Sequence, residues 1–274
     1  MRDLYNVAIR AAVMAGKAIL EVYNSNDLQV IEKEDKSPLT KADRAAHQVI
    51  VSHLDKTGIP VLSEEGRDIP FEERSGWDRF WLVDPLDGTK EFIKRNGEFT
   101  VNIALVSKGR PVFGVVYAPV LGNLYVGIPG EGSWLTEVPR DNEMLENVKN
   151  DGTSLPVSRS KFKSPYKVVA SRSHLNPETE HYLEQIKAAE GEIEIVTKGS
   201  SLKLCMVATG EADIYPRLGP TMEWDVAAAH AVVSGAGKHV YRLKEGESEK
   251  GKWEKDGELR YNKKNLLNPY FLVT

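Results

Sequence analysis

Apolar residues Leu4, Val7, Ala8, Ala11, Ala12, Ala15, Ile19 and Val22 recur at helical spacing and predict a first helix from about Asp3 to Tyr23. A second begins near Thr40, a residue suited to an N-cap, and carries Ala45, Ala46, Val49, Ile50 and Leu54 until Gly58-Ile59-Pro60 stops it. The period then shortens. Val61-Leu62, Phe80-Trp81-Leu82-Val83, Phe99 to Val106, Pro111 to Tyr117 and Asn123 to Ile128 read as strands. Gly/Pro turns separate the last three, which predicts an antiparallel meander. The polar stretch from Pro139 to Ser154, with Asp151-Gly152, reads as a loop or the seam between two halves.

Beyond that seam strands and helices alternate. Strands are expected at Val168-Val169-Ala170, Ile193 to Val196, Ala212 to Tyr215, His239-Val240-Tyr241 and Tyr270 to Val273. Helices are expected at Pro177 to Ala189, Ser201 to Ala208 and Val226 to Val233, and Lys244 to Gly257 reads as a charged loop or hairpin tip. The order suggests an α+β half over residues 1–154 and an α/β half over 155–274. No internal repeat is visible.

The chain has 274 residues, 41% hydrophobic and 28% charged, as expected of a globular enzyme with a substantial core. Its net charge of −4 and pI of about 5.9 argue against a nucleic-acid polymer as partner. A small anionic ligand in a local basic pocket is still compatible. The single cysteine, Cys205, lies in an apolar stretch, where it reads as a buried small hydrophobe; no intramolecular disulfide can form, which fits a reducing compartment. Arg2, Asp3, Arg10, Lys17 and Glu21 interrupt any signal-peptide pattern, and no run approaches a membrane span. A cytoplasmic location is expected, with peripheral contact at the inner membrane face left open, as is monomer or dimer.

The chemistry concentrates at Asp84-Pro85-Leu86-Asp87-Gly88-Thr89, directly after an apolar strand. Pro85 stiffens the turn and Gly88 permits close backbone approach, so Asp84 and Asp87 are aimed at one point. Carboxylates are the usual protein ligands of a hard cation such as Mg²⁺, and the Leu86 carbonyl can add another oxygen. Thr89 opens a helical turn whose free N–H groups suit a phosphate. Asp-x-x-Asp alone usually marks only a turn. The six-residue string is more specific and resembles the signature of the Mg²⁺-dependent, lithium-sensitive inositol-monophosphatase superfamily. Glu64-Glu65 after a short strand, Thr40-Lys41-Ala42-Asp43 opening a helix, and Trp224-Asp225 before Val226-Ala227-Ala228-Ala229 match further motifs in the same order. Singly, these residues also fit a solvated strand end, a capping box and a plain N-cap. The family's paired glycines after the last motif are split here, as Gly235-Ala236-Gly237.

The resemblance implies a layered α/β/α/β/α sandwich and two or three Mg²⁺ ions held by Glu64, Asp84, the Leu86 carbonyl, Asp87 and Asp225. It implies that Asp43 and Thr89, with Glu65, orient the attacking water. It also implies that Glu64, Leu86, Asp87, Gly88, Thr89 and Asp225 contact the substrate. Lys90-Glu91-Phe92-Ile93 and Asn96-Gly97-Glu98-Phe99-Thr100-Val101-Asn102-Ile103 resemble the bacterial CysQ-type 3'(2'),5'-bisphosphate nucleotidase branch. So do Ser171-Arg172-Ser173-His174, Gly199-Ser200-Ser201-Leu202-Lys203, Tyr215-Pro216-Arg217 and Gly219-Pro220-Thr221. That branch removes the 3'-phosphate of 3'-phosphoadenosine 5'-phosphate and of its sulfated analogue. A second phosphate needs its own cradle, for which Ser173, His174, Gly199, Ser200, Lys203 and Arg217 are candidates; His174, Lys203 and Arg217 also fit ordinary surface positions. Two rivals stand beside this reading: an inositol phosphate or fructose-1,6-bisphosphate phosphatase with the same metal site, and a non-catalytic nucleotide sensor.

Overall fold

A computed structural model of the chain describes residues 1–25, 28, 30–32, 38–138, 144–157, 165–170, 176–246 and 252–274. Its helices are α1 (Arg2–Tyr23), α2 (Lys41–Leu54), α3 (Phe71–Arg74), α4 (Thr89–Ile93), α5 (Met144–Asp151), α6 (Pro177–Glu190), α7 (Leu202–Thr209) and α8 (Glu223–Gly235). A small hairpin pairs β1 (Ile31–Glu32) with β2 (Pro38–Leu39). The main sheet has seven strands in sequence order: β3 (Val61–Ser63), β4 (Arg79–Asp87), β5 (Thr100–Ser107), β6 (Arg110–Ala118), β7 (Asn123–Ile128), β8 (Gly132–Thr136) and β9 (Thr153–Ser154). From β4 onward it is the expected antiparallel meander, while β3 pairs parallel to β4. The parallel pair β10 (Tyr166–Val169) and β11 (Ile193–Val196) follows. A four-stranded sheet then joins β12 (Tyr215–Arg217), β13 (Val240–Glu245), β14 (Trp253–Glu258) and β15 (Phe271–Val273) in the order β12-β15-β13-β14.

Strand alternation explains the layers. In β4, Trp81 and Val83 face one core with α1, α2 and α5, whereas Phe80 and Leu82 face a second with α7 and α8. In β15, Phe271 and Val273 close that second core, while Leu272 joins a third with Leu183 and Ile186 of α6. The layers therefore run helices, sheet, helices, sheet, helix, which is the fold class the resemblance implied.

Helix α8 lies unusually close to the main sheet. Its buried face is Ala227, Ala228, Ala229, Ala231 and Val232, and it meets Gly114 of β6 and Gly127 of β7. A Cβ on Gly127 would touch Val232 Cα and stand 2.5 Å from Ala231 O, so no side chain fits between the two backbones. Ser133 Oγ donates to the Val232 carbonyl at 2.7 Å and fixes the helix along its length.

Several boundaries differ from the sequence reading. The polar stretch 139–154 contains α5, whose Met144, Leu145 and Val148 pack on α1; three apolar positions in eight residues give too thin a stripe to stand out. Strand β8 was not foreseen, because Gly132 and Ser133 dilute its pattern. The strand expected at Ala212 to Tyr215 forms at Tyr215–Arg217 instead, and Ile214 makes only an isolated bridge to Val168. The charged stretch from Lys244 contributes to the paired strands β13 and β14. The split glycines after α8 still make their turn, with Ala236 as C-cap and Gly237 at φ 73°.

Candidate active site

The parallel pairing of β3 with β4 brings the acidic residues together. Ser63 sits opposite Val83, and the next residue on each strand is Glu64 and Asp84. The Glu64 N–H donates to the Val83 carbonyl at 3.1 Å, so both carboxylates leave the sheet at the same edge. A bulge in β4 then corrects the phase of the second aspartate. Asp84 faces Asn102 and Asp87 faces Thr100, so three steps on β4 match two on β5. Without that extra residue Asp84 and Asp87 would point to opposite faces. Gly88 follows at φ 92°, a conformation open to glycine at little cost, and starts α4.

Asp225 arrives from the other end of the chain on the first turn of α8, where its Oδ2 accepts from the Met222 N–H at 2.8 Å. It is not the N-cap that its sequence position also allowed: Met222 is the N-cap, and Asp225, three residues on, reaches back to the Met222 N–H while belonging to the acidic group. Asp43 has the same double character. Its Oδ2 accepts from the Thr40 N–H at 2.7 Å and from Thr40 Oγ1 at 2.6 Å, completing the capping box of α2. Its Oδ1 accepts from Thr89 Oγ1 at 3.3 Å. The Leu86 carbonyl lies 3.4 Å from the same hydroxyl.

The electrostatics follow from crowding. Asp84 is 1% exposed, and burial, then Glu64, Asp87 and Asp225, hold it well above the ordinary carboxylate range. Burial, and then Asp87 and Glu64, push Asp225 up to about 8; the Met222 N–H bond and Arg217 pull the other way. Asp43 is also raised, by burial first and against its bonds to Thr40, with Glu65 adding repulsion. Among the described residues no three such side chains converge on a coordination shell as placed. Glu64 and Asp84 stand within hydrogen-bonding distance of each other, and the other oxygens turn to backbone donors: Asp84 Oδ1 accepts from the Leu86 N–H at 3.0 Å and Asp225 Oδ2 from the Met222 N–H. Four carboxylates and a backbone carbonyl, crowded enough to repel, are a hard-oxygen donor set that fits a divalent cation.

Asp87 is the most tightly held. Its Oδ2 accepts from Ser200 Oγ at 2.7 Å and lies 2.9 Å from Ser201 Oγ, with Asn102 Nδ2 at 3.5 Å. Ser201 Oγ in turn reaches the Asp225 carbonyl at 2.6 Å and accepts from Asn102 at 3.0 Å. Ser200 has φ 54°, and its hydroxyl also meets Thr100 Oγ1 at 2.6 Å. The Gly199 N–H donates to Glu98 Oε2 at 2.9 Å. Thus the hydroxyls read as part of a phosphate cradle are turned toward Asp87. Asn102, Thr100 and Glu98 lie in a string that carries the family resemblance, but the sequence reading assigned them no role in the site. A polar asparagine amid the apolar run of β5 was the further local signal.

Beside the acidic group opens a cavity of about 190 Å³, whose walls include Asp87, Gly88, Lys203, Arg217 and Asp225. A neighbouring cavity of about 490 Å³ includes Lys90, Asn176, Tyr215 and Pro216, and Arg217 borders both. Arg217 Nη2 donates to the Pro220 carbonyl at 2.9 Å, while its buried Nε has no partner among the described residues. Ser173 and His174 lie outside the described residues. His47, one turn after Asp43 on α2, was also overlooked; its Nδ1 meets Ser63 Oγ at 2.9 Å, next to Glu64. No described helix is long and apolar enough to cross a membrane.

The inositol monophosphatase family profile matches residues 1–269, and the chain belongs to that family. Within it, the chain is similar to proteins named 3'(2'),5'-bisphosphate nucleotidase CysQ. That of Escherichia coli strain K12 is 48% identical over 231 residues, 83% of this chain and 85% of the relative. That of Salmonella typhimurium strain LT2 is 46% identical over 265 residues, 95% of each. The crystal structure of CysQ from Bacteroides thetaiotaomicron superposes with a TM-score of 0.85 at 46% identity, covering 97% of this chain and 95% of that one.

Proposed function

We propose that this chain is a Mg²⁺-dependent 3'(2'),5'-bisphosphate nucleotidase that converts 3'-phosphoadenosine 5'-phosphate to AMP and accepts the sulfated analogue. The observation that carries the reading is a buried set of mutually repelling oxygen donors beside a cavity bordered by an unsatisfied arginine N–H. Glu64, Asp84, the Leu86 carbonyl, Asp87 and Asp225 would hold the metal. Bound there, Mg²⁺ offsets the charge of the phosphate dianion and makes the attacking water more acidic.

The protein's own groups do the rest. Thr89 Oγ1 spends its proton on Asp43, so its lone pairs are available to accept from water. As the water oxygen bonds to phosphorus, one of its protons moves to Thr89 and the Thr89 proton to Asp43; the bond from phosphorus to the 3'-oxygen breaks, that oxygen takes a proton from solvent to become the 3'-hydroxyl, and Asp43 returns its proton to solvent. Burial raises the affinity of Asp43 for that proton, which makes it a better base near neutral pH. The first-turn N–H groups of α4 would face the phosphate oxygens. Arg217 Nε, and Lys203 on the same cavity wall, would take the 5'-phosphate. The site would lie between the halves 1–154 and 155–274, with Asp225 supplied by the second.

The test is phosphate release from 3'-phosphoadenosine 5'-phosphate, inositol 1-phosphate and fructose 1,6-bisphosphate with Mg²⁺. Strong preference for the nucleotide supports the reading. Preference for a sugar or inositol ester would keep the metal site and discard the pocket. Tight nucleotide binding without release from any ester would favour a sensor.

A further inference from the structure

Glu223 is a carboxylate with 0% exposure, two residues before Asp225, and the mechanism gives it no task. A buried carboxylate is costly unless charge-paired and hydrogen-bonded. Here it is both. Its Oε2 accepts from the Asn262 N–H at 2.6 Å, and its Oε1 accepts from the Lys263 N–H at 3.0 Å and from Lys263 Nζ at 2.6 Å. The Glu223 N–H donates to the Leu266 carbonyl at 2.9 Å. Asn268 grips the neighbouring residues: its N–H donates to the Thr221 carbonyl and its Nδ2 to the Met222 carbonyl, each at 2.8 Å. Met222 is the residue whose N–H holds Asp225 Oδ2.

The same segment is tied at its other end to the N-terminal part of the chain. Arg74 is buried, and its guanidinium donates to Asn262 Oδ1 and the Lys263 carbonyl at 2.8 Å, to the Lys264 carbonyl at 3.0 Å and to the Ile69 carbonyl at 3.3 Å. Asn262, held at φ 67°, returns a bond from Nδ2 to the Arg74 carbonyl at 2.8 Å. Arg74 ends the short segment that runs on from Glu64 and Glu65 through α3. One end of the polar chain is thus tied to Arg74 of the α3 segment, ten residues on from Glu64, and the other to Met222, whose N–H holds Asp225.

We propose that Arg74, Glu223 and Lys263 are positioning residues. They form a buried brace through the 260–268 segment that sets Asp225 against Glu64 and so sets the affinity of the site for its divalent cation. This rests on the metal-site reading above. An apolar contact would anchor α8 to the sheet as firmly, but only directional bonds to residues 221–223 fix the rotation of its first turn.

The test is Mn²⁺ titration by electron paramagnetic resonance on intact wild type, Glu223→Gln and Lys263→Met, well below each melting temperature. Turnover of the bisphosphate at saturating metal is measured alongside. The brace predicts Mn²⁺ affinity weakened about 10-fold or more in Glu223→Gln and several-fold in Lys263→Met. KM for the nucleotide at saturating metal should stay within about 2-fold. Because Lys263→Met leaves the buried Glu223 carboxylate without its counter-charge, the double variant Glu223→Gln/Lys263→Met, which removes both charges, is titrated as well and provides the folded protein if a single variant does not. A folded variant of any of the three kinds that melts lower but binds Mn²⁺ as wild type does would overturn the brace while leaving the metal reading intact. Wild type that binds no Mn²⁺ would overturn both.

Discussion

Gly127→Ala isolates the close approach of α8 to the sheet. The backbone of Gly127 lies outside the left-handed region, so alanine carries no conformational penalty and the added methyl acts by volume alone. Its Cβ would touch Val232 Cα and stand 2.5 Å from both Ala231 O and Val232 N, about 1 Å inside the 3.4 Å at which ordinary contact begins. All three are main-chain atoms of a helix and cannot rotate away. Either α8 lifts by about 1 Å or β7 bows, and both loosen packing along a helix whose sheet-facing side is buried. Overpacking costs about 1–3 kcal/mol where side chains can adjust. With backbone on both sides, about 3 kcal/mol or more is expected, a fall in Tm of roughly 6–12 °C for a chain of this size. Because α8 carries Asp225, a shift of about 1 Å should also cost on the order of 100-fold in turnover. The assay is urea and thermal unfolding of Gly127→Ala beside Gly76→Ala. A Cβ at Gly76 meets nothing within 4 Å at an ordinary φ, and there alanine should stabilise by about 0.4–1 kcal/mol. If Gly127→Ala unfolds within about 0.5 kcal/mol of wild type, the packing argument for α8 is wrong.

Asp84→Asn should abolish Mg²⁺-dependent phosphate release. It should also raise the Tm of the metal-free protein, since it removes one charge from a buried repelling group; near-normal Mg²⁺-dependent turnover would sink the metal assignment. Asp43→Asn should lower kcat by about 10²–10⁴-fold while Mg²⁺ binding persists, and loss of binding in parallel would move Asp43 from base to ligand. His230 is buried against the Tyr261 hydroxyl at 2.9 Å, and burial lowers it to about 4. Between pH 6.5 and 4 the unfolded chain takes up a proton there that the folded chain does not. Stability from this site is therefore complete above pH 6.5 and falls by about 3 kcal/mol as pH drops to 4. Urea unfolding from pH 7 to pH 4 should show a shallower loss for His230→Gln than for wild type, and equal slopes would refute the assignment. Arg217→Ala should raise KM for the bisphosphate far more than KM for a 3'-monophosphate; equal KM changes would remove Arg217 from the 5'-phosphate site.

The elements legible in the chain were those with a strong local period. Helix α1, the β4–β7 strands and α8 carry repeats of apolar residues long enough to declare themselves, whereas α5 and β8 depend on partners far away in sequence. The acidic residues were legible for a different reason. A proline, a glycine and two aspartates within five residues constrain a turn by local chemistry, and the bulge seen between Asp84 and Asp87 is the form that constraint takes.

What local pattern determined by itself was the turn that carries Asp84 and Asp87 and the order of helices and strands, because both depend on residues close in sequence; the layer order and the membership of Glu64 and Asp225 in the acidic group came from the resemblance to a family. What only the tertiary structure decided was how the group is held. The parallel register that sets Glu64 beside Asp84, the serines that claim one oxygen of Asp87 from 113 and 114 residues away, and the Arg74–Glu223 brace all join positions with no local relation. A hydrogen bond depends on distance and direction between two atoms in space. Spacing along the chain carries that information only when both atoms belong to one turn of helix or one pair of neighbouring strands.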